Sequence, residues 1–420
     1  MEEEKNKKLY PLKFMPIAEK VSWGGNALIK NYGKKFFEAN GKGEDIPVGE
    51  DEKIGESWEI SDMGFRDSVV TNGWLAGNSI SDIMETYLER VVGDNIFEYY
   101  GRQFPIMAKL IDVRGRTPLM AHPDDESAEQ RYDSLGKTKL WYIEDAEPGA
   151  KVFMGFKHDI SSAEFYERCM DGSVEEIMNM IYPKKGDAFL IKPGTVHCAA
   201  DGLIIAEIAE SSDIDFNLFN WGKPTENNGL EELSLRQAFD LITFTKYDDE
   251  CFIKGRLWPA EKDSEEDKAE GPGHRHSKKI TENLVAAKEF TVTKISLSDP
   301  LHIYAEQFNS FIIYMCLEGE ASIQVPAENG KNGSNMDNYI LSAGETILIP
   351  NDITDFFLVP RDRDTILLET VMDKREDPDP YINQKAAPYL PDEGDGGNGT
   401  GCKDDGCTDH CCDGHSHLKN

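Results

Sequence analysis

A mainly β protein, built as two copies of a small barrel or sandwich, is what this 420-residue sequence predicts. Three observations lead there. Short apolar stretches recur between Gly, Pro and Asn/Asp turns, among them PIMAKLIDV at 105–113, LWYIE at 140–144, AFLIK at 188–192 and LIIAEI at 203–208. Runs of that length between turn residues read as strands. A second block of the same kind spans about 289–372, with SFIIYMC at 310–316, ASIQV at 321–325 and ETILI at 345–349. Finally, LSAGETILIPNDITDFFL repeats in form the earlier PKKGDAFLIKPGTVHCA, each a Gly-acidic turn, an apolar strand and a Pro turn. That likeness predicts an internal duplication whose second copy lacks the histidines of the first.

The elements follow in order. Residues 1–258 form the first domain, interrupted by helical segments at about 160–182 and 233–246. Ser162 to Ile181 has Phe165, Cys169, Val174, Ile177, Met178 and Ile181 at helical spacing and reads as one or two amphipathic helices. Leu233 to Phe244, with Leu235, Ala238, Phe239 and Ile242, reads as another. Residues 259–280 are almost all charged or Gly/Pro and form a linker or exposed loop. The second barrel takes 281–375, and 376–420 is an acidic Cys/His-rich tail without apolar periodicity, expected to be disordered.

Composition excludes several classes. A formal net charge of −33 argues against nucleic acid, which requires clustered Lys and Arg. No run of 18 apolar residues exists to span a membrane, and MEEEKNKKLYPLKF carries no secretory signal core, so a cytoplasmic protein is expected. Of eight cysteines, Cys169, Cys198, Cys251 and Cys316 are scattered singly, as reduced core thiols are. The other four crowd the tail, where Cys402, Cys407, His410, Cys411, Cys412, His415 and His417 offer seven donors within 16 residues, a density that suits metal chelation.

Two histidines stand apart in the body. His122 sits in AHPDD at an apolar-to-turn transition, and His197 closes the PGT turn of PGTVHCA. Two histidines on separate strands can converge on one metal, but zinc usually wants three or four donors, and a lone His is more often a hydrogen-bonded core residue.

In order along the chain, KFMPIAEKVSWGGNALIKNYG, IGESWEIS, FPIMAKLIDVRGRTPLMAHPDDESA, GKTKLWYI, KKGDAFLIKPGTVHCA and LIIAEIAESSDIDFNLFNW resemble the short bacterial form of the type I mannose-6-phosphate isomerases. The resemblance implies two cupin-like, RmlC-like jelly-roll barrels. It also implies a zinc-assisted, cis-enediol interconversion of mannose 6-phosphate and fructose 6-phosphate, with a sugar phosphate as partner. By that resemblance His122 and His197 match zinc ligands, and Lys137 matches the Lys of the GKTE motif. Glu207 matches a carboxylate beside the reacting carbons, and Ser212 and Asp213 match a substrate-contacting Ser-Asp pair.

The chain departs from the family at three positions. Met120 stands where a Gln or Lys is usual, Lys139 where the fourth ligand is a Glu, and Asn217 where the family has an Arg. A thioether is a poor Zn²⁺ partner, and an ammonium repels the dication. The departures imply reduced or lost isomerase activity, making the chain a pseudoenzyme candidate. The alternative is a non-catalytic sugar or sugar-phosphate sensor, metal-binding through its tail. Replacement donors would have to come from Glu144, Asp201, Glu207 or Cys198; Cys198, next to His197 on a strand, should point to the opposite face.

Overall fold

A computed structural model describes residues 7–39, 45–222, 230–255, 281–306, 308–327 and 335–372, all within one compact unit, Met1–Pro378. The expected linker at 259–280 and the tail lie outside the described residues.

The fold is mainly β, in antiparallel sheets. A seven-stranded sheet runs Phe252–Ile253, Ala188–Ile191, Lys139–Ala146, Leu203–Glu210, Ile106–Val113, Glu56–Ile60 and Ile17–Glu19. A five-stranded sheet runs Met178–Ile181, Lys151–Phe156, His197–Ala200, Leu119–Ala121 and Phe216–Phe219. Leu203–Glu210 and Ile106–Val113 are buried along their whole length, which explains why they read as nearly unbroken apolar runs. One core gathers residues of both sheets, including Ile143, Phe189 and Ile205 from the first and Val152, Met154 and Ala199 from the second. The C-terminal half has its own six- and four-stranded sheets around a core that includes Ile295, Tyr314, Ile323 and Phe356.

Register places the chemistry. Glu207 pairs with Lys109 on one side and Trp141 on the other, and Lys109 pairs with Trp58. Cross-strand partners share a face, so Trp58, Lys109, Glu207 and Trp141 form one row across four strands. Lys139, two residues before Trp141, joins that face. On the five-stranded sheet His197 pairs with Met120, and Met120 with Asn217, making a second row.

Three features differ from the sequence reading. The 160–182 helical segment is a helix only over Ser162–Asp171, started by Ser161 accepting from Glu164 N and stopped at Gly172 (φ 81°). Val174–Glu176 is a single tight turn, and Met178–Ile181 is an edge strand paired with Lys151–Phe156. Ile177 and Met178 join the core that holds Phe165 and Cys169, so the apolar spacing continued past the helix end. The 233–246 helix is Leu230–Ala238; beyond it the chain straps onto strand edges, with Thr243 N donating to Gly194 O and Tyr247 N to Phe156 O. Third, Leu12–Lys13 pairs with Ile347 and Leu348, so the start of the chain is a strand of the C-terminal sheet.

Lys185 joins the two halves, with its ammonium 3.2 Å from Glu144 and 2.6 Å from Glu318. Burial pushes the Glu144 carboxyl from 4.5 up to about 7, against the pull of Lys185. A carboxyl raised in the folded state contributes stability below its unfolded value, and that contribution is lost as pH rises through about 7. Chemical denaturation should therefore show stability falling by up to roughly 3 kcal/mol between pH 5 and pH 8 from this group, and Glu144→Gln should flatten the slope.

Candidate active site

The two rows face each other across the N-terminal core, and the site forms where they meet. His197 opens its strand behind the Pro193-Gly194 turn and is fully buried. Its Nδ1 lies 2.9 Å from Thr195 O, and its ring packs against Trp141, centroids 5.3 Å apart. His122 follows the Leu119–Ala121 strand, is also fully buried, and sits edge-on to His197 at 5.2 Å. Among the described residues, neither ring nitrogen of His122, nor Nε2 of His197, has a hydrogen-bond partner.

Beside the histidines lies a chain of ion pairs. Asp215, just ahead of the Phe216–Phe219 strand, accepts from Lys137 Nζ at 2.6 Å and from Lys139 Nζ at 3.0 Å. Both lysines are buried, and Asp215 retains partial exposure. Burial works against the Asp215 anion, yet Lys137 and Lys139 hold its carboxyl well below the ordinary range. Glu207 accepts from Trp141 Nε1 at 2.6 Å and lies 3.9 Å from Lys109 Nζ, which bonds Glu56 at 3.0 Å. Burial opposes the charged Glu207 too, but Lys139, Lys109 and Lys137 keep its pKa below the ordinary value. Lys137 is the soft member: burial, only partly offset by Asp215, brings it down from 10.5 to about 8.

Burial and Lys139 depress both histidines, His197 from 6.5 to about 4 and His122 well below its ordinary value. The sign is opposite to that of Glu144. A folded-state imidazole pKa of about 4 gives stability that is present above pH 6.5 and lost as pH falls towards 4. The unfolding free energy should drop over that interval by an amount on the order of 3 kcal/mol, and His197→Gln should remove its share.

The positions singled out in the sequence thus come together unevenly. His122, His197, Lys137, Lys139 and Glu207 share one buried neighbourhood. Met120 lies between His197 and Asn217 in register, half-buried, and Asn217 is exposed at the end of that row. Ser212 is buried, its hydroxyl accepting from Ile214 N at 3.3 Å in the turn that delivers Asp215, whereas Asp213 is exposed. Of the four candidate replacement donors, Glu207 alone lies at the site, accepting from Trp141 Nε1, and the other three are engaged elsewhere. Glu144 is held by Lys185, and Asp201 pairs with Lys151 at the surface. Cys198 faces away from His197 into the core of Phe153 and Phe216. Among the described residues no group of three or more His, Cys, Asp or Glu is placed to hold a metal ion. The tail residues Cys402 to His417 lie outside the described residues.

Sequence reasoning missed Asp215, Lys109, Glu56 and Trp141. A single Lys inside the apolar run PIMAKLIDV is a legible signal of a paired buried charge. Asp215 offers none, because its partners lie 76 and 78 residues earlier.

Comparison with known proteins places these features in context. Residues 12–149 match the family of the phosphomannose isomerase type I catalytic domain. The chain is 29% identical over 241 residues to the probable mannose-6-phosphate isomerase GmuF of Bacillus subtilis (strain 168), covering 57% of the chain and 70% of that protein. It is 26% identical over 343 residues to the mannose-6-phosphate isomerase of Streptococcus mutans, covering 82% and 93%. In fold it is similar to the crystal structure of mannose 6-phosphate isomerase from Bacillus subtilis, with TM-score 0.65 and 23% identity over 86% of the chain and 99% of that structure.

Proposed function

The chain belongs to the type I mannose-6-phosphate isomerase family, and on that premise we propose that it binds a sugar phosphate of the mannose 6-phosphate kind while its zinc-assisted isomerisation is reduced or lost. One observation carries this reading: Lys139 Nζ, bound to Asp215 at 3.0 Å, stands where the resemblance puts a zinc-ligating carboxylate. The donor set does not fit zinc. Two imidazoles are half the usual complement, and the neighbouring carboxylate Asp215 accepts from two ammonium groups. A dication about 4 Å from an ammonium is repelled by several kcal/mol at intermediate dielectric.

Within this reading the fold is two cupin-like barrels, over 1–258 and 281–375, and the site belongs to the first. Glu207, held as an anion, is the group to take a proton from a sugar carbon, and Lys137, with its pKa about 8, is the group to return one. By the resemblance Ser212 and Asp213 belong to substrate binding, Ser212 by shaping the turn that delivers Asp215 and Asp213 from the surface. The four body cysteines are buried and free, which agrees with a reducing, cytoplasmic setting. The tail is a separate chelating segment: converting Cys402, Cys407, Cys411 and Cys412 to Ser should remove most metal that copurifies with the chain, measured by elemental analysis.

A second reading rests on the same lysines, namely a non-catalytic sugar-phosphate sensor. Turnover of mannose 6-phosphate by the full chain with added zinc, beside the Bacillus subtilis enzyme, separates the possibilities. The expected result is turnover lower by about 100-fold or more, the scale of loss that metal-site disruption brings, with sugar phosphate still bound. Turnover at the relative's level, with zinc at His122 and His197, would overturn the proposal.

A further inference from the structure

We infer that Lys139 is a built-in cation standing in for the metal, so that the site takes a polyhydroxylated ligand directly through the Lys139 ammonium and two neutral imidazoles, with no divalent cation. This rests on the reading that the site receives a sugar phosphate, and goes beyond it by fixing how the sugar is held.

The first support is charge. Lys109, Lys137 and Lys139 stand with Glu56, Glu207 and Asp215, three against three, in two neighbouring clusters: Lys109 with Glu56 and Glu207, and Asp215 with Lys137 and Lys139, at contacts of 2.6 to 3.9 Å. The network is neutral as it stands, and a dication would leave two buried charges uncompensated.

The second is hydrogen bonding. Thr195 O can only accept, so His197 Nδ1, at 2.9 Å, carries the proton and Nε2 presents a lone pair. That nitrogen is buried without a partner among the described residues, and so are both nitrogens of His122. A neutral His122 adds one donor and one acceptor. The open positions are therefore two acceptors and one donor, a pattern that hydroxyl groups satisfy because each both donates and accepts. Orphaned buried groups of this kind are costly, and a ligand that pairs them gains correspondingly.

The third is geometry. Asp215 fixes the Lys139 ammonium at one point, leaving its other N–H bonds for a ligand oxygen.

The test uses the full chain and mannose 6-phosphate. Calorimetric titrations in EDTA and in zinc should give the same affinity. Lys139→Met should weaken binding by about 10-fold or more, the worth of a charged hydrogen bond. Lys139→Glu should make binding zinc-dependent. In ¹⁵N spectra of the parent, the His122 and His197 imidazole signals should move with the sugar phosphate and stay fixed with zinc. Binding abolished by EDTA would overturn the inference yet leave the sugar-phosphate reading intact. With no binding under either condition the sugar-phosphate reading fails and the inference with it; imidazole signals of the parent that move with zinc overturn the inference alone. The parent spectra decide this even if a Lys139 variant fails to fold.

Discussion

Asp215→Asn should destabilise the chain by about 3–5 kcal/mol, the cost of removing one partner from a buried ion pair. Lys137 and Lys139 are only 1% and 3% exposed, and both direct their ammonium groups at this carboxylate. Without it, two like charges share a buried pocket, and the Lys137 pKa falls further below that of the unfolded chain. A base depressed in the folded state regains stability as pH rises, so the penalty should be smaller at pH 9 than at pH 7. Lys137 loses its proton within this interval, since its pKa is already about 8. Urea denaturation at the two pH values measures both the size and the slope. An Asn variant as stable as the parent at pH 7 would mean that Asp215 does not neutralise the lysines.

The second large effect concerns metal. Met120→Gln with Lys139→Glu should raise zinc affinity at the N-terminal site by more than about 100-fold, because ligand number and geometry set that affinity. Both positions are well placed for it. Met120 is the register partner of His197, and Lys139 extends from the facing sheet towards the same pocket. The double variant should be less stable than the parent without metal, having lost the Lys139–Asp215 bond. Zinc at 100 times its dissociation constant should then restore about 2.7 kcal/mol. Thermal unfolding with and without zinc reads this directly. Adding Asn217→Arg, at the exposed end of the same row, should bring measurable turnover. A double variant whose melting ignores zinc would contradict the assignment of Lys139 to a ligand position.

These expectations draw on parts of the molecule that were unequally legible in the sequence. The strands through Ile111, Ile143 and Ile205 declared themselves by apolar runs between turn residues, because a strand buried on both faces has little polar surface to show. His122 and His197 stood out through their turns, and the loss at Lys139 through the altered GKTE motif. The partner of Lys139 did not, because ion pairing across 76 residues leaves no local pattern. The Ser162 to Ile181 segment misled for another reason: the helix face and the following edge strand fill one core, so an apolar spacing of about 3.6 outlived the helix that produced it. Leu12–Lys13 is too short to signal which sheet it completes.

The most direct measurement is anomalous scattering at the zinc edge from crystals of the full chain grown with excess zinc. No peak should lie within bonding distance, about 2.0–2.1 Å, of the His122 and His197 nitrogens, and the Lys139 ammonium should be seated on Asp215. A peak bonded to both imidazoles, with Lys139 displaced from Asp215, would contradict this reading of the site.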